Sequence, residues 1–265
     1  MPGYIDTEEI RLKGTFGDGE VHLCRCVPAA PNGVDVILLH GVHSSANVHR
    51  LNKFRCLAND LADKGLTAWL VETSRRVRSR HEYADDVAGW VRDAFSGKSF
   101  PQEQEDVFAA VREVIKRSQK LRIWLWGFSL GGIIALSAAA GAIAPLADGA
   151  PAIDKLIVSG TGLVSYPEVE EQMMKLPVLS TLRATLSPDL LSKVRTTGFV
   201  SFRGTRDEIF PESSCRDLVN GIMLPESAKH FVPVDGADHS MRTRGGKPCP
   251  AIMEEMVNYI AGLWL

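Results

Sequence analysis

The 265-residue sequence has few of the features that mark specialised chains. It has five cysteines, an odd number (Cys24, Cys26, Cys56, Cys215 and Cys249), with no C-x-x-C pair and no zinc-ligand spacing. That excludes a disulfide-framed scaffold and points to free thiols in a reducing compartment. It has no surplus of charge: 30 Lys and Arg against 32 Asp and Glu give a net charge of −2. Nothing therefore draws the chain as a whole to nucleic acid or to an anionic membrane. The start, Met1-Pro2-Gly3-Tyr4 followed by Asp6, Glu8 and Glu9, lacks the basic opening and apolar run of a secretory leader. One uncharged stretch, Ile123 to Ala147, is long enough for a bilayer. Gly127, Gly131, Gly132, Gly141 and Pro145 interrupt it, so it reads as a strand followed by a buried helix. A cytoplasmic protein with no membrane or nucleic-acid partner is expected.

Apolar residues make up 45% and charged ones 23% of the chain, the balance of a globular protein. A single body of this length buries roughly 75% of its extended-chain surface, so no metal or disulfide is needed for stability. Two runs, Glu9 to Lys13 and Glu20 to Val27, flank Gly17-Asp18-Gly19 and predict a hairpin. β-rich runs follow at Val34 to Leu39, Leu66 to Val71, Leu121 to Trp126, Leu156 to Ser159, Phe199 to Phe202 and His230 to Val234. Between them, Leu51, Phe54, Leu57, Ala58 and Leu61 recur at helical spacing, as do Phe108, Val111, Val114 and Ile115. Further helices are expected over Ile133 to Ala140 and Ile252 to Trp264. Strands alternating with helices predict an α/β fold: a mostly parallel sheet covered on both faces, with the hairpin as an antiparallel edge. Residues 163–197, punctuated by Pro167, Pro177 and Pro188, break the alternation. They read as an insertion into a core made of residues 1–162 and 198–265.

Gly127-Phe128-Ser129-Leu130-Gly131 lies between an apolar strand and an Ala-rich helix. A serine turned outward at such a junction sits on strained backbone, and side chains at 127 and 131 would collide with the turn. The helix that follows presents free N–H groups and the positive end of its dipole, which suit a developing oxyanion. A serine nucleophile needs a base and an orienting carboxylate. Gly236-Ala237-Asp238-His239 offers the base just past one expected strand, and Gly204-Thr205-Arg206-Asp207 a carboxylate past another. Upstream, His40-Gly41-Val42 ends the first core strand, where a second oxyanion donor would be required.

With these four pieces in this order, the chain resembles the α/β-hydrolase superfamily over nearly its whole length, and within it the small bacterial carboxylesterases. The resemblance implies an α/β-hydrolase fold with a small helical cap over 163–197. It implies Ser129 as nucleophile, His239 as general base and then acid, and Asp207 as the carboxylate that fixes the imidazole tautomer, with Glu208 the second choice. The backbone N–H groups of Val42 and Leu130 would form the oxyanion hole. No cofactor and no metal are implied. The activity implied is cleavage of small to medium carboxylic esters through an acyl-enzyme. The alternatives are an acyl thioesterase or acyltransferase, then a carbon–carbon bond hydrolase or a non-catalytic binding protein. Two departures stand out: Glu72-Thr73-Ser74 followed by arginines, where relatives often have an aspartate and a glycine-rich turn, and Asp238, where a small residue is common.

Weaker signals remain. His40, His43 and His49 lack the spacing of a metal site. Arg75, Arg76, Arg78 and Arg80 cluster after one strand, and Arg242 and Arg244 follow His239. As a charge run they are most simply solvated. Because these loops leave the carboxyl edge of a parallel sheet, Arg75 and Arg76 are also candidates for a positive rim that binds an anionic substrate. In the insertion, Met173 and Met174 are candidates to line an adaptable acyl pocket.

Overall fold

The computed structural model describes all residues except 1, 2, 43, 50, 51, 80–82, 84, 85, 119–121, 147, 148, 174, 183–187 and 244–249. The strands are β1 (Tyr4–Lys13), β2 (Glu20–Pro28), β3 (Val34–Leu39), β4 (Thr67–Glu72), β5 (Arg122–Phe128), β6 (Lys155–Ser159), β7 (Gly198–Gly204) and β8 (Lys229–Val234). They form one sheet in the order β1-β2-β4-β3-β5-β6-β7-β8. Strands β3 to β8 run parallel, whereas β1 pairs antiparallel with β2 and β2 with β4, so the hairpin is the expected edge.

Alternation along the central strands divides the interior in two, because successive side chains of a strand point to opposite faces. Ile37, Leu39, Trp69, Val71, Ile123, Leu125, Leu156 and Val158 share one cluster. Val36, Leu38, Ala68, Leu70, Trp124, Trp126, Phe128 and Ile157 share the other. The first face is covered by α2 (Val87–Ala94), α3 (Phe100–Ser118), α4 (Leu130–Ser137) and α8 (Glu212–Gly221), the second by α1 (Lys53–Asp63) and α9 (Pro250–Trp264). In the second cluster Trp126 stacks on Phe128 and Phe202, with ring centroids 5.7 and 5.8 Å apart.

The uncharged stretch after Ile123 is β5 and then α4, which passes into a π-helical turn, Ala138–Ala142, with Gly141 (φ 114°) non-helical inside it. No helix among the described residues is long and apolar enough to cross a membrane. Residues 163–197 hold three short helices, α5 (Pro167–Met173), α6 (Pro177–Ser180) and α7 (Pro188–Lys193). The α6 helix packs on α3, and α7 on α4 and α8, with Val178, Leu179, Leu191 and Val194 buried.

The structure differs from the sequence reading at several borders. Strand β1 begins at Tyr4, five residues before the apolar alternation of Glu9 to Lys13. Its outer side is a free edge, so pairing with β2 alone carries it there. Helices α2 and α8 were not anticipated. Both are short, and each follows a proline- or charge-bearing loop.

Candidate active site

Four loops leave the carboxyl ends of parallel strands on one edge of the sheet: His40-Gly41-Val42 after β3, Ser129 after β5, Asp207 after β7 and His239 after β8. In open parallel sheets this edge gathers side chains that are distant in sequence. Here it gathers three. The Ser129 hydroxyl donates to His239 Nε2 across 3.0 Å. The other ring nitrogen, Nδ1, lies 3.2 and 3.1 Å from the two carboxylate oxygens of Asp207 and donates to them.

Each member is held locally. Ser129 has φ 51° and ψ −116°, a strained conformation for a residue with a Cβ. A Cβ at Gly127 would meet the Gly131 carbonyl at 2.2 Å, and one at Gly131 the His40 carbonyl at 2.6 Å, so the turn closes only with glycine at both positions. His239 rests on Gly160, where a Cβ would lie 2.6 Å from the His239 carbonyl. Asp207 is 4% exposed and also accepts from the Ile209 and Phe210 N–H groups. Burial alone would raise its carboxyl. The bond and charge of His239 and the two backbone donors outweigh that and hold it below the usual carboxylate range. Asp238 turns aside and accepts from the Ser240 and Arg242 N–H groups.

Beside the serine lie two backbone donors. A Cβ added to Gly41 would meet Ser129 Cβ at 3.0 Å, which puts the Gly41–Val42 peptide against the serine. The N–H groups of Val42 and of Leu130, the first residue of α4, make no hydrogen bond among the described residues. Both residues line a cavity of about 280 Å³ that opens over Ser129 and His239. Its other walls are mostly apolar: Ile133 from α4, Leu163, Leu179 and Leu182 from the insertion, and Phe210, with Glu170 the charged group on the insertion side.

The fold that carries this site also occurs in known proteins. The chain superimposes on an α/β serine hydrolase without a lid from Xanthomonas campestris, with a TM-score of 0.64, 18% identity and coverage of 98% of this chain and 95% of that one. It matches 2,6-dihydroxy-pseudo-oxynicotine hydrolase with a TM-score of 0.63 and 20% identity, over 98% of this chain and 68% of the other. A dienelactone hydrolase from Anabaena variabilis gives 0.60 and 17%, over 97% of both chains. The chain has the α/β-hydrolase fold. No protein-family model matches it, and no curated protein does.

Within the α/β-hydrolase fold, the remaining sequence candidates fare unevenly. Arg75 is the main correction. It is fully buried, 3.6 Å from Glu72 and 2.9 Å from His40 Nε2, and it lies on neither the rim nor the cavity. Arg76 is exposed but rests over the Phe16 ring, away from the cavity wall. Arg78 is engaged by Asp18 at 2.6 Å. Among the described residues of the cluster, Arg75, Arg76 and Arg78 are thus engaged by contacts within the chain, and none of the three lines the cavity. Met173 closes α5; its side chain, like Met174, Arg80, Arg244, His43 and Cys249, lies outside the described residues.

The sequence reading missed Lys53. This residue opens α1, is 5% exposed, and donates to the Ser240 carbonyl at 3.0 Å, one residue beyond His239. Its ammonium sits 4.1 Å from the centre of the Phe128 ring. Burial, with Arg242 adding to it and Asp238 opposing, pushes it down to about 7. The signal was present: Lys53, Leu57 and Leu61 share one helical stripe, so this lysine faces inward.

Proposed function

We propose that the protein is a serine hydrolase that cleaves small to medium carboxylic esters through an acyl-enzyme. The observation that carries this reading is the unbroken chain from the Ser129 hydroxyl through His239 to Asp207. Ser129 Oγ attacks the ester carbonyl carbon while its proton passes to His239 Nε2. Asp207, ionised and holding Nδ1–H, stabilises the imidazolium that results. The carbonyl oxygen becomes an oxyanion between the Val42 and Leu130 N–H groups. Collapse of this intermediate breaks the C–O bond to the alcohol, which takes the proton from Nε2. Water then repeats the sequence on the acyl group, frees the acid and restores the serine. Loss of one oxyanion donor typically costs about 3–4 kcal/mol of barrier stabilisation.

The cavity of about 280 Å³ supports an acyl group of modest size. The insertion 163–197 acts as its cap, since Leu163, Leu179 and Leu182 form one wall. Four free thiols, Cys24, Cys26, Cys56 and Cys215, support a cytoplasmic setting.

The test is a panel of aryl esters and acyl thioesters of graded chain length, run with wild type and Ser129→Ala, alongside labelling by a fluorophosphonate. Hydrolysis of short and medium esters, with activity and label both lost in Ser129→Ala, is the expected result. Labelling that survives in Ser129→Ala would overturn the nucleophile assignment. Faster turnover of thioesters than of matched esters would make the protein a thioesterase.

A further inference from the structure

Behind the Gly41–Val42 peptide lies a buried polar network that the reaction scheme does not use. His40 is 4% exposed and its ring is bracketed by partners that leave one protonation state. Nδ1 faces the Gly41 carbonyl at 3.0 Å, and a carbonyl only accepts, so Nδ1 carries the proton. Nε2 faces the Arg75 guanidinium at 2.9 Å and the Thr73 N–H at 3.4 Å, which only donate, so Nε2 is bare. The Thr73 hydroxyl, 3.3 Å from Nε2, donates to Glu103 at 3.0 Å. The Gly41 carbonyl has a second donor in the Ser44 N–H at 3.1 Å. It is thus clamped from two directions. In a trans peptide the N–H points opposite to the carbonyl, and the chain has no cis bond among its described residues.

Arg75 grips this turn at both ends, through Nη2 on His40 and Nη1 on the Ser44 carbonyl at 3.5 Å. Its own position is fixed by Glu72, by its Nε on the Thr73 carbonyl, and by the Trp90 and Phe95 rings 5.5 and 5.2 Å away. Glu103 lies beyond, held at 2.5 Å by Lys98, which also pairs with Asp106 at 2.8 Å.

We propose that Arg75 is a positioning residue for the oxyanion site: through His40 and Ser44 it sets the plane of the Gly41–Val42 peptide and turns the Val42 N–H toward the carbonyl oxygen of the bound ester. The assignment rests on the hydrolase reading for its catalytic consequence, but not for its statement about His40. The charges around the imidazole are consistent with it. Burial first, then Arg75 and Lys98, lower His40 to about 4, against the opposing pull of Glu103 and of the Gly41 hydrogen bond. The ring therefore stays neutral, as the clamp requires, throughout the pH range in which a serine hydrolase works.

The experiment uses the full chain and two readouts. Imidazole ¹⁵N NMR is expected to find His40 neutral with the proton on Nδ1 at pH 5.5. In Arg75→Gln the midpoint should rise by about one pH unit or more, because the cation nearest the imidazole is gone and only burial and the more distant Lys98 still oppose Glu103. On p-nitrophenyl butyrate, kcat should fall about 10- to 100-fold with KM within about threefold, since the donor is misaligned and not lost. The acid limb of kcat should gain a further ionisation that wild type lacks. His40→Asn, whose amide can still donate to Gly41 but cannot reach Arg75, should fall by a similar factor. The double variant should fall no further than either single one. If Arg75→Gln does not fold, Arg75→Lys replaces it, with His40 still neutral at pH 5.5 and a smaller loss of kcat. Additive losses in the double variant, an unmoved His40 midpoint, or a proton on Nε2 would overturn the proposal. A wild type that neither turns over esters nor takes the phosphonate label would refute the hydrolase reading instead, and the tautomer and its response to Arg75→Gln would still decide whether Arg75 controls His40.

Discussion

Lys53→Met at the start of α1 separates the charge of a buried ammonium from the space it fills. In the folded chain burial, helped by Arg242, brings Lys53 down to about 7, against about 10.4 in an unfolded chain. Between these values the unfolded chain holds a proton that the folded chain has released. Wild-type stability therefore rises with pH across this window, by up to about 1.4 kcal/mol per pH unit. Summed over the window, the effect is roughly 4–5 kcal/mol, present as a full penalty below pH 7 and gone above pH 10.5. Methionine has a similar length and no proton, so it lacks this slope. It also leaves the Ser240 carbonyl without its donor, a loss of about 1–3 kcal/mol that displaces the stability curve more than it tilts it. Urea unfolding of both proteins at unit steps from pH 6 to pH 10 gives the difference curve directly. The stability of the methionine variant relative to wild type should decline by about 4 kcal/mol between pH 7 and pH 10. A difference that stays constant across those steps would refute the reasoning, because the ammonium would then remain charged in the core.

Three further substitutions probe separate parts of the site. Asp207→Asn should lower kcat on esters by roughly 10³- to 10⁴-fold, the scale seen for the equivalent change in a serine protease triad; a loss below tenfold would mean another group orients His239. Gly160→Ala forces a Cβ at φ 58° to within 2.6 Å of the His239 carbonyl, so kcat should drop about 100-fold, with a destabilisation of more than about 1 kcal/mol; unchanged kinetics would show that the histidine loop is not seated on this glycine. Lys98→Met leaves the Glu103 and Asp106 carboxylates buried without their shared cation, and the free energy of urea unfolding should fall by roughly 3–5 kcal/mol; an unchanged free energy would show that the pair contributes nothing.

What the sequence made legible follows from where local rules and tertiary packing agree. The runs from Val34 to Leu39 and from Leu121 onward are apolar at all but one or two positions, Asp35 in the first and Arg122 in the second, because both faces of a parallel strand are covered, and both became central strands. Ser129 was readable because Gly127 and Gly131 are demanded by the turn itself, and the contacts of both glycines bear out that steric demand. The fate of the arginine cluster was not readable. Position after a strand locates a loop at the carboxyl edge, but it does not tell whether a long side chain turns outward to solvent or back toward the core. Arg75 turns back because Glu72, His40 and two aromatic rings wait there, all from segments distant from its loop or on its inner side. Helix α2, which supplies one of those rings in Trp90, went unrecognised, so the pocket for the guanidinium could not be foreseen.

A shared physical problem links the buried cations. Loops that leave the carboxyl edge of a sheet have no ladder to hold their backbone, yet the turns around residues 41–44 and 239–240 must be fixed to within fractions of an ångström if serine, histidine and oxyanion donors are to act together. A long cationic side chain reaching up from the core can bind such a carbonyl from below. Lys53 does this from the α1 face at the Ser240 carbonyl, and Arg75 from the α2 face at the Ser44 carbonyl, with a second contact to the His40 imidazole. Each is desolvated, and each is offset by ring faces, Phe128 and Phe54 for the lysine, Trp90 and Phe95 for the arginine. Among the described residues, only the arginine of the two has a carboxylate within ion-pair distance, Glu72. Burial lowers both cations, but Glu72 and Glu103 oppose it at the arginine, whereas at the lysine only the more distant Asp238 does, and the lysine is brought down to about 7.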